Sequence, residues 1–453
     1  MAAGGRPAPP PLLPHLSSRK ARAAALRGGT RLGIAAVALA VALLALSNVL
    51  SAGRQEGLYG ARQQRDARLL VLAFYFPQYH PIPENAATYF ANFSDWVLVR
   101  DAPDRNRLGA PVKKPVPPLG YYDPRDYPVR RAQGQMARDY GLDGFIYYHY
   151  WLENKLVMGE VLDRLLEDGQ PDVPFALCWV NESWQRKFYG MERRVTFELR
   201  HDAAEAHAAY LARVFSSPLY LRVDGAPLLV VYRLSSSVDY IADLQRRVAA
   251  LTGSGMFVVS CLQDNVESNA GMYGAAAPGA GAFLEFYPNL YWHDRGASIC
   301  ADHPQHGLTG ELMPHPDVGL PVWRGGLTGW DPTPRYPNET QADRLILASG
   351  CPSNSSAEAF LEATASRLRG AACELAAAGG GDAVYALFAW NEWGEGAVME
   401  PNSVDGHGLL YALARARREA ARLHGEDVAG RRCRGGKGLP QRAAVRISVK
   451  GQP

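Results

Sequence analysis

The feature of this sequence that most restricts its fold is a repeated pattern of short apolar runs separated by polar loops and longer segments with helical periodicity. The runs show little alternation of apolar and polar residues, which is typical of strands that are buried on both faces. Strands joined by helical crossovers must run parallel. The runs that we interpret as strands are 69–76, 143–151, 174–180, 227–232, 256–262, 282–287, 383–390 and a weaker one at 320–326.

Helical segments fall between most of these runs and after the last one. They are 128–140, 159–167, 203–215, 238–251, 357–377 and 408–423. The repeat fits a closed barrel better than an open doubly wound sheet, because an open sheet usually has a glycine-rich phosphate loop after its first strand and here FPQYH follows instead. The predicted fold class is therefore α/β, a (β/α)8 TIM-type barrel over residues 68–425, preceded by a single transmembrane helix.

Composition excludes several other classes of protein. The 453 residues are 47% hydrophobic and 21% charged, which is too apolar for a disordered chain, and six cysteines are too few for a disulfide scaffold. A net charge of +3 over 453 residues does not indicate the strongly basic surface that nucleic-acid binding requires. The sequence contains no HExxH or CxxC metal motif and no GxxxxGK[ST] phosphate loop. We therefore expect no metal, no cofactor, nucleotide or otherwise, and no nucleic-acid partner.

The N-terminal part predicts a membrane anchor. Residues 1–31 carry basic but no acidic side chains, and the uncharged residues 32–50 are long enough to cross a bilayer as a helix. Basic residues before the helix place residues 1–31 in the cytosol and the rest in a secretory lumen. A cleaved signal peptide is the alternative. The predicted organisation is a basic disordered cytosolic tail (1–31), a signal-anchor helix (32–50), a stem (51–67), the barrel (68–425) and a basic disordered tail (426–453).

This topology predicts a single-pass type II membrane protein with a lumenal catalytic domain in the Golgi, or a secreted protein if the helix is cleaved. In a lumen, the tripeptides that begin at Asn92, Asn338 and Asn354 are glycosylation acceptors. A further tripeptide begins at Asn181, directly after a predicted strand. If Asn181 lines the pocket, we expect it to be unglycosylated.

In a parallel barrel the chemistry lies at the carboxyl ends of the strands, so acids, amides and rings at those ends are the candidates for a site. Aromatic rings there stack on flat faces such as those of sugars. After the first two strands the candidates are Tyr75, Gln78, His80, Tyr147, Tyr148, His149, Tyr150 and Trp151. After the later strands they are Asn181, Glu182, Trp184, Glu285, Asp331, Asn391, Glu392, Trp393, Glu395 and Glu400.

Glu392 and Glu395 stand three residues apart beside Trp393, directly after the last predicted strand. On a tight turn or a first helical turn, such positions point the same way and can face one pocket. Hydrolysis of a glycosidic bond needs one carboxylic acid to protonate the leaving oxygen and one carboxylate to help displace it. The pair therefore favours a glycoside hydrolase, while a helix N-terminus that merely favours acids is the alternative.

Six motifs, in order, resemble the bacterial WbsX-type family of polysaccharide-biosynthesis proteins, which belongs with the glycoside hydrolase family 99-like barrels. The motifs are LAFYFPQYHPIPEN, GYYDPRD, YGLDGFIYYHYW, CWVNESW, GWDPTPR and WNEWGEG with a later EP, and they span residues 69 to about 423. NEWGEG with Glu400 also resembles the NEWxEGxxxE motif of the family 99 endo-α-mannosidases. The resemblance implies that Glu392 deprotonates the sugar 2-hydroxyl and that Glu395 is the general acid/base at the glycosidic oxygen.

The implied reaction needs no nucleophile from the enzyme. The 2-hydroxyl of α-mannose is trans to the leaving group, so its oxygen can attack the anomeric carbon, and water then opens the anhydrosugar with net retention. We expect Glu395 to have a raised pKa and Glu392 to be ionised. The predicted function is a retaining glycoside hydrolase that acts on α-mannose-type linkages of a glycan or polysaccharide substrate. The alternatives are a glycosyltransferase of glycan biosynthesis and a non-catalytic glycan-binding barrel.

Overall fold

The computed structural model describes residues 68–107, 109–186, 194–262, 279–287, 312, 315, 319–336, 357–378, 380–427 and 445–450. The predicted cytosolic tail, signal-anchor helix and stem lie outside these ranges, as do Asn338 and Asn354. Within the described ranges, none of the helices combines the length and the hydropathy that a membrane span requires.

Eight parallel strands form a closed barrel, as the sequence predicts. Each strand pairs with its neighbours in chain order, and β1 pairs with β8 from Arg68↔Asp382 to Ala73↔Leu387. The strands are β1 (Arg68–Tyr75), β2 (Gly144–Leu152), β3 (Phe175–Trp179), β4 (Ala226–Val231), β5 (Phe257–Leu262), β6 (Ala280–Glu285), β7 (Val322–Leu327) and β8 (Asp382–Phe388). Each begins and ends within two residues of a predicted run.

Helices α3 to α8 confirm the predicted helical segments, whereas the two short helices α1 and α2 in the loop after β1 were not predicted. The helices are α1 (Pro83–Thr88), α2 (Asp95–Asp101), α3 (Tyr127–Asp139), α4 (Glu160–Asp168), α5 (Ala204–Phe215), α6 (Val238–Thr252), α7 (Ala357–Ala377) and α8 (Gly408–Asp427). Buried leucines such as Leu211, Leu244 and Leu413 attach helices to the outside of the sheet.

Successive residues of a strand point to opposite faces of the sheet, and this alternation separates two apolar layers. Phe74 and Ile146 belong to a cluster that fills the barrel. Their neighbours Tyr75, Phe145 and Tyr147 belong to a second cluster, which includes the buried faces of the helices. A third, aromatic cluster caps the carboxyl ends of the strands, and its members include Phe76, Tyr79, Trp96, Tyr122, Tyr150 and Trp393.

A short strand, Ile447–Val449, pairs antiparallel with Leu221–Val223 near the amino ends of the barrel strands. Ile447 is buried with the barrel-filling cluster, and its backbone N–H donates to the carboxylate of Asp382 at 2.6 Å. The prediction of a disordered tail over 426–453 is wrong for this strand. The physical reason is the alternation of Val445, Ile447 and Val449 with polar residues, which gives the segment one apolar face.

Candidate active site

The chain makes a compact hairpin directly after β8. Asn391–Glu392 pairs with Ala397–Val398, and a 3-10 turn, Trp393–Glu395, connects the two. The turn closes at Gly396, which has a φ of 65° and leaves no room for a Cβ, since one would lie 2.9 Å from the Cβ of Asp331. Both conditions require glycine.

One guanidinium group holds both glutamates of this hairpin. Arg335 donates from Nη2 to Oε1 of Glu392 at 2.7 Å and from Nη1 to Oε1 of Glu395. Nη2 also donates to Oδ2 of Asp95, on α2, at 2.9 Å. The side chains of Asp95, Glu392 and Arg335 are 1%, 3% and 11% exposed, against 20% for Glu395. Glu395 thus lies nearest to solvent.

Neither Arg335 nor Asp95 is among the site residues that the sequence predicts. The sequence feature that points to Arg335 is its position as the last residue of the motif GWDPTPR. The backbone leaves little space around this ion pair, because a Cβ on Gly394 would lie 2.7 Å from Nε of Arg335 and 2.9 Å from Oδ2 of Asp95. The glycine at position 394 is therefore part of the geometry that lets the guanidinium reach all three acids.

Two side chains fix the hairpin to the loop after β1. Asn391 accepts from the backbone N–H of Phe76 at 2.7 Å and donates to its carbonyl at 3.0 Å. The hydroxyl of Tyr79 donates to the carbonyl of Asn391 at 2.5 Å and accepts from the N–H of Trp393 at 2.8 Å. Asn391 is thus a buried support of the backbone around Glu392.

Aromatic rings form a wall around the acids. The Trp96 ring lies 4.3 Å from that of Tyr79 and 5.8 Å from that of Trp393, measured between centroids. On the β2 side, Tyr150 and Trp184 meet edge to face at 5.2 Å. The structure therefore places Tyr148, Tyr150, Trp184 and Trp393, four of the predicted site residues, in or against this aromatic cluster.

The surroundings of Glu392 affect its pKa differently from what the sequence predicts. Burial raises the pKa of Glu392 well above its ordinary value, the Arg335 guanidinium lowers it, and the charges of Glu395 and Asp95 raise it further. Burial likewise raises the pKa of Asp95, against the opposing effect of Arg335. From the sequence we expect an ionised Glu392, whereas its surroundings in the structure raise its pKa. The physical reason is that, among the described residues, three acids share the Arg335 guanidinium and two of them are almost wholly buried.

A family model described as "Glycosyltransferase WbsX" matches residues 71–295 and 304–413 of the chain. The chain belongs to this family. Protein WxcX of Xanthomonas campestris pv. campestris, in strains B100 and ATCC 33913, is 30% identical over 363 residues, which cover 76% of this chain and 49% of WxcX. The chain thus spans about half the length of these curated relatives.

Among solved structures, the family 99 endo-α-mannosidase of Bacteroides thetaiotaomicron, in complex with Bis-Tris-propane, superposes with a TM-score of 0.51. The sequence identity is 12%, and the match covers 79% of this chain and 98% of that one. At this identity the similarity shows the fold alone. This WbsX-family chain therefore has a family 99-like barrel.

Glu400, the last acid of the motif, lies beneath the hairpin and away from solvent. Its carboxylate accepts from the Tyr122 hydroxyl at 2.9 Å, from Nε2 of Gln133 at 2.7 Å and from the indole of Trp393 at 2.9 Å. Burial raises its pKa to about 7, although these donors lower it. The predicted substrate contact is corrected to a structural role, in which Glu400 connects the hairpin to α3.

Four further predicted residues lie on the helix side of the sheet rather than at the mouth. Tyr75 donates to Gln133 of α3 at 3.1 Å, and His149 contacts His207 of α5 at 2.8 Å between the Nε2 atoms. Trp151 stacks on His207 at 4.6 Å. Strand alternation explains the correction, because residues of opposite parity to Phe74, Tyr148 and Tyr150 must point outward. The four are Tyr75, Tyr147, His149 and Trp151.

The prediction that Glu285 contacts substrate is also corrected. Its carboxylate is buried and bonded to groups other than Glu392 and Glu395. It accepts from Arg324 at 2.9 Å, from Arg367 of α7 at 3.0 Å and from the N–H of Gly325 at 2.9 Å, and it contacts His315 at 2.8 Å. Burial alone raises the pKa of Glu285, but the His315 hydrogen bond and the charges of Arg367 and Arg324 lower it to about 2. Glu285 therefore anchors α7 to the sheet.

The remaining amides and acids hold loops at the mouth. Asn181 donates to Ser237 at 2.8 Å and to the carbonyl of Arg233 at 2.7 Å, whereas Glu182 accepts from the Arg233 side chain at 3.1 Å. Asp331 accepts from Asn106 at 3.0 Å, and its N–H donates to the carbonyl of Glu395 at 2.6 Å. Asp331 thus supports the backbone of the acid pair.

Gln78 and His80, which the sequence predicts as site residues after β1, are both buried in the loop that follows this strand. The backbone carbonyl of Gln78 accepts from the N–H of Asp95 at 3.1 Å, which positions the start of α2. His80 lies with Nδ1 3.1 Å from the carbonyl of Pro81, and burial lowers its pKa. Burial thus disfavours the protonated form of His80.

Proposed function

We propose that this chain is a retaining glycoside hydrolase that acts on α-mannose-type linkages in glycans. The observation that carries the proposal is the placement of Glu392 and Glu395 on one turn at the carboxyl end of β8, joined by Arg335 and surrounded by aromatic rings. The match between NEWGEG and the endo-α-mannosidase motif supports the choice of linkage. The shared fold is consistent with it.

The proposed reaction uses the two acids in turn. Glu392 removes the proton of the 2-hydroxyl, whose oxygen bonds to the anomeric carbon while Glu395 donates its proton to the departing glycosidic oxygen. The product of this step is a 1,2-anhydrosugar. Glu395 then takes a proton from water, the water oxygen bonds to the anomeric carbon, and Glu392 returns its proton to the 2-oxygen as that bond breaks. Two inversions give net retention.

A glycosyltransferase is the second candidate, favoured by the description of the family model. The same barrel and acids would then bind a donor sugar and an acceptor glycan. The two candidates differ in the fate of the glycosyl group, which passes to water in one and to a glycan hydroxyl in the other.

The test is to incubate the full chain with a panel of α-mannosides and to follow product anomers by NMR. We expect hydrolysis with retention, reduced about 10²–10⁴-fold by Glu392→Gln or by Glu395→Gln. Glu205→Gln is the control, because its side chain is 90% exposed on α5. Turnover that survives both active-site substitutions would contradict the mechanism. Transfer from a nucleotide sugar without hydrolysis would select the second candidate.

The membrane anchor at 32–50, the type II topology and the Golgi location stay predictions from the sequence. Of the predicted glycosylation sites, Asn92 is exposed in the loop between α1 and α2. Asn181, in contrast, is 1% exposed, which supports the expectation that it carries no glycan.

A further inference from the structure

Asp95 and Arg335 come from loops on either side of the barrel seam and meet at the acid pair. We infer that they are positioning residues that decide whether the carboxyl group of Glu392 carries its proton. This inference rests on the proposed function only in assigning Glu392 as the base. Its physical content, the ionisation of one buried carboxyl group, is independent of any substrate.

Charged groups from three parts of the chain face Glu392. Among the described residues they are Arg335 after β7, Asp95 on α2, and Glu395 on the same turn. Tyrosine hydroxyls from two other elements complete the surroundings, and the charge of Glu392 acts on each of them. These hydroxyls belong to Tyr79, Tyr148 and Tyr150.

Acidic groups outnumber cations around Glu392 among the described residues. Among the described residues, three carboxylates share the Arg335 guanidinium in a site where Asp95 and Glu392 are almost wholly buried. Like charges at this distance in a low-dielectric interior oppose one another's ionisation, so such a site favours a proton on one carboxyl group. A base that must accept the 2-hydroxyl proton cannot be the group that retains it.

The two positioning residues have opposite effects on the ionisation of Glu392. Arg335 contacts Glu392 directly at 2.7 Å and favours its ionised form. Asp95 disfavours that form through its own charge and also by engaging the same Nη2 atom of Arg335 at 2.9 Å. Removal of the Asp95 charge leaves the guanidinium more fully available to Glu392. A merely structural role for these residues predicts no such opposition.

The experiment measures the ionisation of Glu392 without substrate. The full chain is labelled with ¹³C at the glutamate carboxyl carbon, and the signals are followed by NMR as a function of pH. Glu392→Gln identifies the signal of Glu392 by its loss. The variants are Asp95→Asn, which keeps size and removes charge, Arg335→Met, which removes the cation, and Arg335→Lys, which keeps the cation but not the fork of donors.

We expect Asp95→Asn to lower the titration midpoint of Glu392 by about 1 pH unit and Arg335→Met to raise it by about 1–3 units. Arg335→Lys is expected to fall between wild type and Arg335→Met. If Arg335→Met does not fold, the shift in Asp95→Asn and the partial effect of Arg335→Lys still decide the outcome.

Shifts of both substitutions in the same direction, or an unmoved midpoint in Asp95→Asn, would overturn the inference. Failure of the proposed function is recognised separately. In that case the midpoints shift as expected, while none of the α-mannosides is hydrolysed by the wild-type chain.

Discussion

Three buried glutamates show how the neighbours of a carboxyl group decide its chemistry. Glu285 contacts several cationic side chains, which outweigh its burial and lower its pKa to about 2. Glu400 accepts hydrogen bonds from uncharged donors alone among its described contacts, and burial raises its pKa to about 7. Glu392 shares one guanidinium with two other acids, and its pKa is raised. Of the three, Glu392 is the one that lies beside Glu395 and Arg335 in the candidate site.

Glu400 makes folding sensitive to pH. Its pKa of about 7 in the folded state exceeds the ordinary value of 4.5, so the folded chain retains a proton that the unfolded chain releases. The free energy of unfolding therefore falls as pH rises from about 4.5 to about 7, with a contribution of roughly 3 kcal/mol from this group.

Urea unfolding of wild type and Glu400→Gln across this pH range measures the effect. Relative to wild type, we expect the variant to gain stability as the pH rises, because glutamine cannot titrate. A difference between the two proteins that stays constant from pH 4.5 to 7.5 would contradict the assignment. Glu205→Gln on the exposed face of α5 is the matched control.

At the scale of elements, the strands and longer helices could be predicted because local pattern specifies them. The helices α1 and α2 could not, because six and seven residues are too few to show a period. The role of Arg335 as the cation of the site could not be predicted from the sequence either. Arg335 meets Asp95, Glu392 and Glu395 across separations of 240, 57 and 60 residues, which no spacing rule connects.

The aromatic run in β2 carries a pattern that already separates its residues into two faces. The sequence predicts all five residues from 147 to 151 as site residues, yet strand alternation allows only every second side chain to face the interior. The structure accordingly places Tyr148 and Tyr150 toward the mouth and Tyr147, His149 and Trp151 toward the helices.

Adjacent tyrosines in β2 provide a matched test of this division. We expect Tyr148→Phe to lower kcat/KM for an α-mannoside about tenfold, which corresponds to one lost hydrogen bond of about 1.4 kcal/mol. Tyr147→Phe makes the same chemical change one residue away, on the helix side, and is expected to leave kcat/KM unchanged. A larger loss in Tyr147→Phe than in Tyr148→Phe, by steady-state kinetics, would contradict the orientation of β2.

For the molecule as a whole, the amino end of the barrel is closed by a segment from far along the chain. The backbone of 445–447 bonds to Asp382 and Asp224, at the starts of β8 and β4, in addition to its pairing with Leu221–Val223. The side chain of Ile447 completes the apolar filling of the barrel from below. The segment therefore stabilises the whole sheet rather than one loop.

Ile447→Ala is expected to lower the free energy of unfolding by about 2–5 kcal/mol, the usual effect of truncating a buried aliphatic side chain. Val449→Ala, in the same short strand but only half-buried, is expected to cost markedly less. Urea unfolding of the two variants at one pH makes the comparison. Equal losses would show that Ile447 does not pack within the barrel.

Barrel closure also has to wait for the last strand to be synthesised. The seam joins β1 to β8 through positions such as Arg68 and Asp382, which are 314 residues apart. At translation rates of about 5–20 residues per second, the first strand waits roughly 15–60 s after its synthesis before its last partner emerges from the ribosome. Throughout that interval one edge of the nascent sheet is open, and open edges attract other chains. The nascent barrel is therefore most open to association with other chains before β8 emerges.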